Sequence, residues 1–346
     1  MSRFLQLHLL TFYPPANLNR DDTGRPKTAV IGGSTRLRLS SQALKRAWRT
    51  SDVFAKSLEG HLASRTQRLG EAVLAHLEAG GMPADKALAT ARAIAGVFGK
   101  IKPEKDAAPA RIEQLAFISP EERDAAIALA DKALAGETVE PKPDILLRRT
   151  DTAADLAMFG RMLAADPEYN REAAVQVAHA FTTHPVPVED DYYTAVDDLK
   201  RPSEDAGAGF VGEQGFGSGV FYLYLCIDRT LLLRNLGSDA ALAATAIAAL
   251  VEAAATVAPG GKQNSFASRA RAHYILAERG DAQPRSLGAA FAGRCEGTDP
   301  IAGSVKALRA WRAAMDAAYP DGVAESSEMA FDKGGTLADI VAFCRA

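Results

Sequence analysis

RLRLSSQALKRAWR, from Arg36 to Arg49, packs five basic residues and no acid into fourteen positions. Its first four residues alternate arginine with leucine, the period of an extended strand, so Arg36 and Arg38 share one side. From Ser40 or Ser41 the period becomes helical. Gln42, Lys45, Arg46 and Arg49 stand at i, i+3, i+4 and i+7, while Leu44, Ala47 and Trp48 share the opposite side. A strand feeding a helix with one apolar face and one cationic face belongs to a layered α+β domain, with the helix packed on a sheet and its basic strip facing outward.

Upstream, FLQLHLLTF (Phe4–Phe12) places Leu5, Leu7 and Leu9 on one face of a mostly buried strand that ends at Pro14-Pro15. The segment NLNRDDTGRPKTAVIGGSTR (Asn17–Arg36) reads as a polar loop punctuated by Gly24, Pro26, Gly32 and Gly33. Downstream, His61–Ala79, Pro83–Phe98, Glu121–Ala135 and Thr152–Leu163 are alanine-rich and predict helices, separated by the breakers GGMP, KPEKDAAP and GETVEPKPD. Strand character returns in AAVQVAHAFTTH, a glycine-rich excursion covers Pro185–Gly219, and VFYLYLCI (Val220–Ile227) is a buried strand. Asp239–Val257 predicts a helix and NSFASRARAHYIL a further strand. The order strand, helix, insertion, strand, excursion, strand, helix, strand is that of an α+β sandwich of ferredoxin-like type carrying long inserted elements.

At 346 residues and 47% hydrophobic content the chain can bury a full core. Its net charge of -3 hides a strong asymmetry. Arg20–Arg49 holds eight basic residues and two acids, net +6, leaving -9 on the remainder. Cys226, Cys295 and Cys344 are too few and too dispersed for a disulfide framework or a zinc knuckle, which implies a reducing, cytoplasmic setting. The longest apolar run, Ala240–Val251, is too short to span a bilayer, and no membrane segment is expected.

A guanidinium and ammonium row beside a helix start suits phosphate oxygens, through charge-assisted bonds and the free amides of the first turn. From charge alone, a nucleic-acid track and a solvated basic face are equal alternatives. GFGSGVFYLY (Gly215–Tyr224) resembles the aromatic motif of RNA-recognition domains, but Phe221, Tyr222 and Tyr224 fall on both faces of a buried strand and are read as core. IGGSTR is no phosphate-cradling Walker loop; a turn explains its glycines. His179 and His184 share no metal-binding face, and no nucleophile elbow is present. Asp21 and Asp22 either hold a cation or pair with local arginines.

LNRDD (Leu18–Asp22), SSQALKRAWR (Ser40–Arg49), GRM (Gly160–Met162), AHAFTTH (Ala178–His184), YTAVDDL (Tyr193–Leu199), GSGVFYLY (Gly217–Tyr224) and PGGKQ (Pro259–Gln263) occur in this order. Together they resemble the CasC family, the CRISPR RNA-binding backbone subunit of type I-E Cascade, over the chain up to about residue 275. The resemblance implies an RNA-recognition-like (ferredoxin-like) palm from residues 1–56, 174–189 and 220–346, helical fingers over 57–173 and a β-hairpin thumb over 190–219. It further implies that several copies stack along the guide RNA, each thumb tipping one base out at regular intervals. Partners would be the crRNA, target DNA through the guide, further copies of the chain, the large, small and end-capping Cascade subunits, and a recruited helicase-nuclease. No cofactor and no metal are implied.

Carried onto this sequence, the resemblance assigns phosphate contacts to Arg20, Lys27, Ser40, Gln42, Lys45, Arg46 and Arg49. It places Met162 beside the displaced base, with a core methionine as the alternative, and makes Tyr193, Thr194, Phe210 and Val211 the thumb wedge. Ser34 stands where relatives often carry a basic residue, and the acidic segments Glu121–Asp124 and Glu137–Asp144 have no counterpart. The expected role is non-catalytic; the alternative is a metal-dependent endoribonuclease on the same palm, using Asp21 or Asp22.

Overall fold

The leucine alternation of the first segment produces β1 (Phe4–Ala16), which runs on through Pro14 and Pro15 instead of stopping at them. Proline's fixed φ fits extended backbone, and its missing N–H costs nothing where no ladder bond is required. The computed structural model describes residues 2–163, 166–195, 198, 210–293, 298–320 and 322–346. The chain divides into two units, the first of residues 1–54, 177–226 and 250–346, the second of 55–176 and 227–249.

The first unit is built on a large antiparallel sheet. After β1 come β2 (Thr28–Ile31), β3 (Ser34–Leu39), β4 (Ala180–Thr182), β5 (Glu189–Ala195), β6 (Phe210–Asp228), β7 (Tyr274–Gly280) and β8 (Glu325–Ala330). Their order across the sheet is β8-β7-β1-β6-β4-β3-β2, with β5 paired to the early part of β6. β1 and β7 run antiparallel from Phe4↔Gly280 to Leu10↔Tyr274. β2 and β3 correct the expectation of a loop: they form a hairpin closed by Gly32-Gly33, both at positive φ. Two consecutive left-handed residues give the two-residue turn that matches strand twist, and glycine adopts it without penalty. The strand expected within NSFASRARAHYIL starts later, at Tyr274, after a helical turn at Gln263–Phe266.

Both faces of β1 are buried. Leu5, Leu7 and Leu9 point one way; Leu10 on the other face packs with Tyr222, Tyr274, Leu276 and Phe291 against Val305 and Leu308 of the helix Pro300–Ala318. Phe221 and Tyr222 are buried and Tyr224 is half-buried, so these aromatics are core. Gln6 and His8 share the buried face with Glu278, and Tyr224 donates to Gln6 Oε1 at 2.8 Å. His8 Nδ1 lies 2.9 Å from the Tyr222 hydroxyl, and burial lowers its pKa, outweighing the Glu278 carboxylate that would raise it.

The second unit packs the helices Leu69–Ala79, Ala84–Gly96 and Pro120–Leu134 around Val73, Leu77, Ala91, Ile94 and Ala126. Its first predicted helix begins late, because Ser64–Thr66 pairs as a strand with Ala116–Ile118. The fourth spans only Ala154–Phe159 and is ended by Gly160 at φ 77. The helix Ala240–Thr256 has residues in both units. Cys226 and Cys344 are buried and in no disulfide, and Cys295 lies outside the described residues. No helix among the described residues is long and apolar enough to cross a membrane.

Candidate nucleic-acid interface

The basic helix spans Ser41–Arg49, and Ser40 is its N-cap, with Oγ accepting from Ala43 N at 3.4 Å. Ser40 N in turn donates to Asn19 Oδ1 at 2.8 Å, which ties the helix start to the LNRDD loop. Ser40 is thus buried and its hydroxyl fixes where the strip begins. Leu44 and Trp48 are buried, Gln42 and Arg46 are exposed, and Lys45 and Arg49 are half-buried, as the helical period requires. Burial lowers the Lys45 pKa. Arg46 and Arg49 also complement the negative end of the helix.

The LNRDD loop is held by its own backbone: Lys27 N donates to Asn19 O at 2.9 Å, and Asn17 Nδ2 donates to Gly24 O and Gly215 O at 3.0 and 2.9 Å. Asp21 Oδ1 accepts from Thr23 Oγ1, Thr23 N and Arg25 N at 2.7, 2.9 and 3.0 Å. The Thr23 hydroxyl and these amides keep the Asp21 carboxyl below its usual range. Asp21 therefore builds the turn that presents its neighbour Arg20, which is exposed. Among the described residues, the side chains of Arg20, Lys27 and Arg46 make no hydrogen bond or ion pair, and no group of three His, Cys, Asp or Glu residues is arranged to hold a metal.

Arg36 and Arg38 separate. Arg36 is buried, donating through Nη1 to Thr182 O at 3.0 Å and through Nη2 to Phe291 O and Gly293 O at 3.0 and 3.2 Å. It is a strut of the sheet, which corrects the notion of a paired surface cation. Arg38 Nη1 donates to His179 Nδ1 at 2.7 Å. Burial, then the charges of Arg38 and Lys27, lower the His179 pKa, so the ring accepts as neutral imidazole. Nothing in the spacing of Arg38 and His179 foretold this link; it arises because β3 and β4 pair at Arg38↔Phe181.

On β5 and β6, Tyr193 faces Gly212, Thr194 faces Val211 and Ala195 faces Phe210. Tyr193, Phe210 and Val211 are all exposed, and the Tyr193 and Phe210 rings lie 6.1 Å apart. A Cβ on Gly212 would sit 2.5 Å from the Tyr193 ring, so this glycine makes room for the tyrosine. Arg25 binds Asp190 at 2.7 Å, fixing the base of this hairpin to the LNRDD loop. The rest of YTAVDDL beyond Ala195 lies, except for Asp198, outside the described residues.

Met162 in the second unit is 85% exposed, so it is no core methionine. It rides on a buried pedestal. Arg161 and Arg171 exchange backbone bonds at 3.0 and 2.9 Å. The Arg161 guanidinium meets Glu122 Oε2 at 2.6 Å, and Arg171 meets Asp151 Oδ1 at 3.2 Å. Gly160 is required there: besides its positive φ, an added Cβ would stand 2.8 Å from Arg171 O.

The sequence pattern of the family described as CT1975-like protein matches residues 5–339. The chain belongs to that family. This agrees with the resemblance to CasC carried by the seven short motifs. Among solved structures, the chain is similar to one titled CRISPR RNA-guided surveillance complex, pre-nicking, at 30% identity and TM-score 0.86, over 99% of this chain and 100% of the other. It is also similar to one titled CRISPR RNA-guided surveillance complex, at 28% identity and TM-score 0.73, over 97% and 94%. No curated protein sequence matches it.

Proposed function

We propose that this CT1975-like chain is the non-catalytic backbone subunit of a type I-E Cascade surveillance complex. Several copies of it would stack along the crRNA, grip its phosphates, displace bases at intervals and present the rest to target DNA. The observation that carries the reading is the cationic track itself. Arg20, Lys27 and Arg46 are uncompensated, and with Gln42, Lys45 and Arg49 they offer donors for phosphate oxygens. A guide of arbitrary sequence has to be held in that way. The strand order supports an RNA-recognition-like palm: β7-β1-β6-β4, numbered by place in a βαββαβ unit, is 4-1-3-2. In this reading Met162 is the finger contact beside the displaced base, and Tyr193, Thr194, Phe210 and Val211 form the wedge of the thumb. The large, small and end-capping subunits and a helicase-nuclease are the remaining partners, in the cytoplasm.

Lys45→Glu/Arg46→Glu tests the reading. Guide affinity should fall for every spacer sequence, with a loss in the log-log salt slope of roughly 0.7 per phosphate contact removed. Loss confined to some spacers would overturn the backbone grip. The non-catalytic assignment is tested separately, with complementary RNA and magnesium. Asp21 is committed to its turn, so cleavage by the complex that disappears in Asp22→Ala would establish the nuclease instead.

A further inference from the structure

Where the basic helix ends, the first unit opens into a groove of about 810 Å³ between Ala47–Val53 and the segment Thr256–Arg271. That volume lies within the roughly 300–1,000 Å³ that built ligand sites occupy. Three features mark the groove as more than a surface dip. Arg269 and Arg271 on its wall are both exposed, and neither side chain makes a hydrogen bond or ion pair among the described residues. Asp52 is the acid among its lining residues.

The second feature is strain. Lys262 and Ala267 bracket the turn Gln263–Phe266, both left-handed, at φ 52 and 47. A non-glycine residue in that region costs on the order of 1 kcal/mol and persists only where surrounding structure enforces it. The third is attachment. A Cβ on Gly261 would lie 2.4 Å from Leu18 O, so PGGKQ rests directly on the loop that presents Arg20. Phe266 packs on Phe216 of β6 at 5.8 Å between ring centroids, so the turn is also fixed to the strand that carries the thumb hairpin.

We propose that this groove is a second phosphate-binding subsite for single-stranded RNA, in which Arg269 and Arg271 continue the track of Arg46 and Arg49 past the end of the helix. The proposal rests on the reading of the chain as a guide-binding subunit and adds two contacts to it. Planar guanidinium groups match phosphate oxygens two at a time, and the turn beneath them is held rigid.

The test is fluorescence anisotropy of the full-length protein with labelled oligouridylate, from 0.05 to 0.4 M salt, comparing wild type, Arg269→Gln/Arg271→Gln and Arg269→Lys/Arg271→Lys. The glutamine pair should lose about 1.4 from the salt slope and roughly tenfold in affinity near 0.15 M, while the lysine pair keeps most of the slope. Unchanged melting of both variants shows that the fold is intact. A wild-type slope in the glutamine pair overturns the proposal, as does a slope loss seen with oligothymidylate and not with the RNA. So does normal RNA binding combined with failed assembly, which would assign the groove to an acidic protein partner. Lys45→Glu/Arg46→Glu is titrated in parallel. If it alone loses affinity, only the groove assignment fails; if neither variant loses affinity, the guide-binding reading fails with it.

Discussion

Glu122 and Arg161 are 0% and 1% exposed at the side chain, and between them they organise the ground on which Met162 stands. Glu122 Oε2 accepts from Arg161 Nη1 at 2.6 Å and from Ser119 N at 3.1 Å, while Oε1 accepts from Arg148 N at 2.9 Å. Arg161 gives its remaining Nη donors to the carbonyls of Phe117, Arg148 and Tyr169, at 3.1, 3.3 and 3.3 Å. Replacing Glu122 with Leu leaves a buried guanidinium without its counterion and two amides without an acceptor. Loss of one partner of a buried pair costs about 3–5 kcal/mol. For a unit of this size that is a fall in Tm of roughly 10–15 °C.

Arg161→Met alone should be comparably harmful, because it strands the carboxylate. Glu122→Leu/Arg161→Met removes both charges and should be milder than the sum of the singles by about 2 kcal/mol. Thermal and urea unfolding of the four proteins close this cycle, and a coupling below about 0.5 kcal/mol would refute the claim that the pair is the keystone. The functional half of the reasoning is tested by Arg161→Lys, which keeps the charge and loses the planar fork. Guide affinity should stay near wild type while nuclease protection near the displaced bases blurs, since Met162 loses its fixed seat. An unchanged footprint in that variant would leave the pedestal a purely structural device.

Two further outcomes are expected. Stability should drop between pH 7.5 and 5.5: burial holds the pKa of His8 below 6.5, and those of His184 and His273 likewise, so the unfolded chain takes up protons the fold refuses. The sign is that of a group whose stabilisation is present above the unfolded pKa and lost as pH falls toward the folded one. Burial would raise the Glu278 pKa, but His8, Arg312 and Arg285 hold it low, so its stabilisation is present across this window and is lost only below it. Melts of His8→Gln should show a shallower dependence, and an identical one would remove His8 from the account. In the thumb, Gly212→Ala should push the Tyr193 ring aside, preserving guide binding but altering the periodic protection of the guide; an unaltered pattern would show that Tyr193 does not act there.

Much of this was legible because it depends on local period. The helix that bears the strip follows from Leu44 and Trp48 on one side and Lys45, Arg46 and Arg49 on the other, and its start from a serine cap. The hairpin of β2 and β3 was missed although its signal was present: two glycines flanked by short runs of strand-forming residues. The polar and charged residues of Asn17–Lys27 that lead into it disguised it as the continuation of a loop. Arg36 could not have been assigned from spacing at all. In sequence it is one more member of a basic cluster, and only the return of the chain beside β3, 146 residues later at Thr182 and 255 and 257 residues later at Phe291 and Gly293, supplies the carbonyls that hold it.

The same contrast separates the two kinds of charge in this protein. Arg36, Arg161 and Arg171 are buried and have carbonyls or carboxylates at bonding distance, so their charge is spent on holding the fold. Arg20, Lys27 and Arg46 reach the surface with no partner among the described residues, in an otherwise acidic chain. Unpaired cations of that kind add little to the fold and gain their partners when a polyanion lies along them. Stability should therefore rise on adding single-stranded RNA, and rise less in Lys45→Glu/Arg46→Glu, which has lost two of the cations that would meet phosphates. A variant that still folds but is no longer stabilised by RNA is the signature of a surface shaped for its ligand.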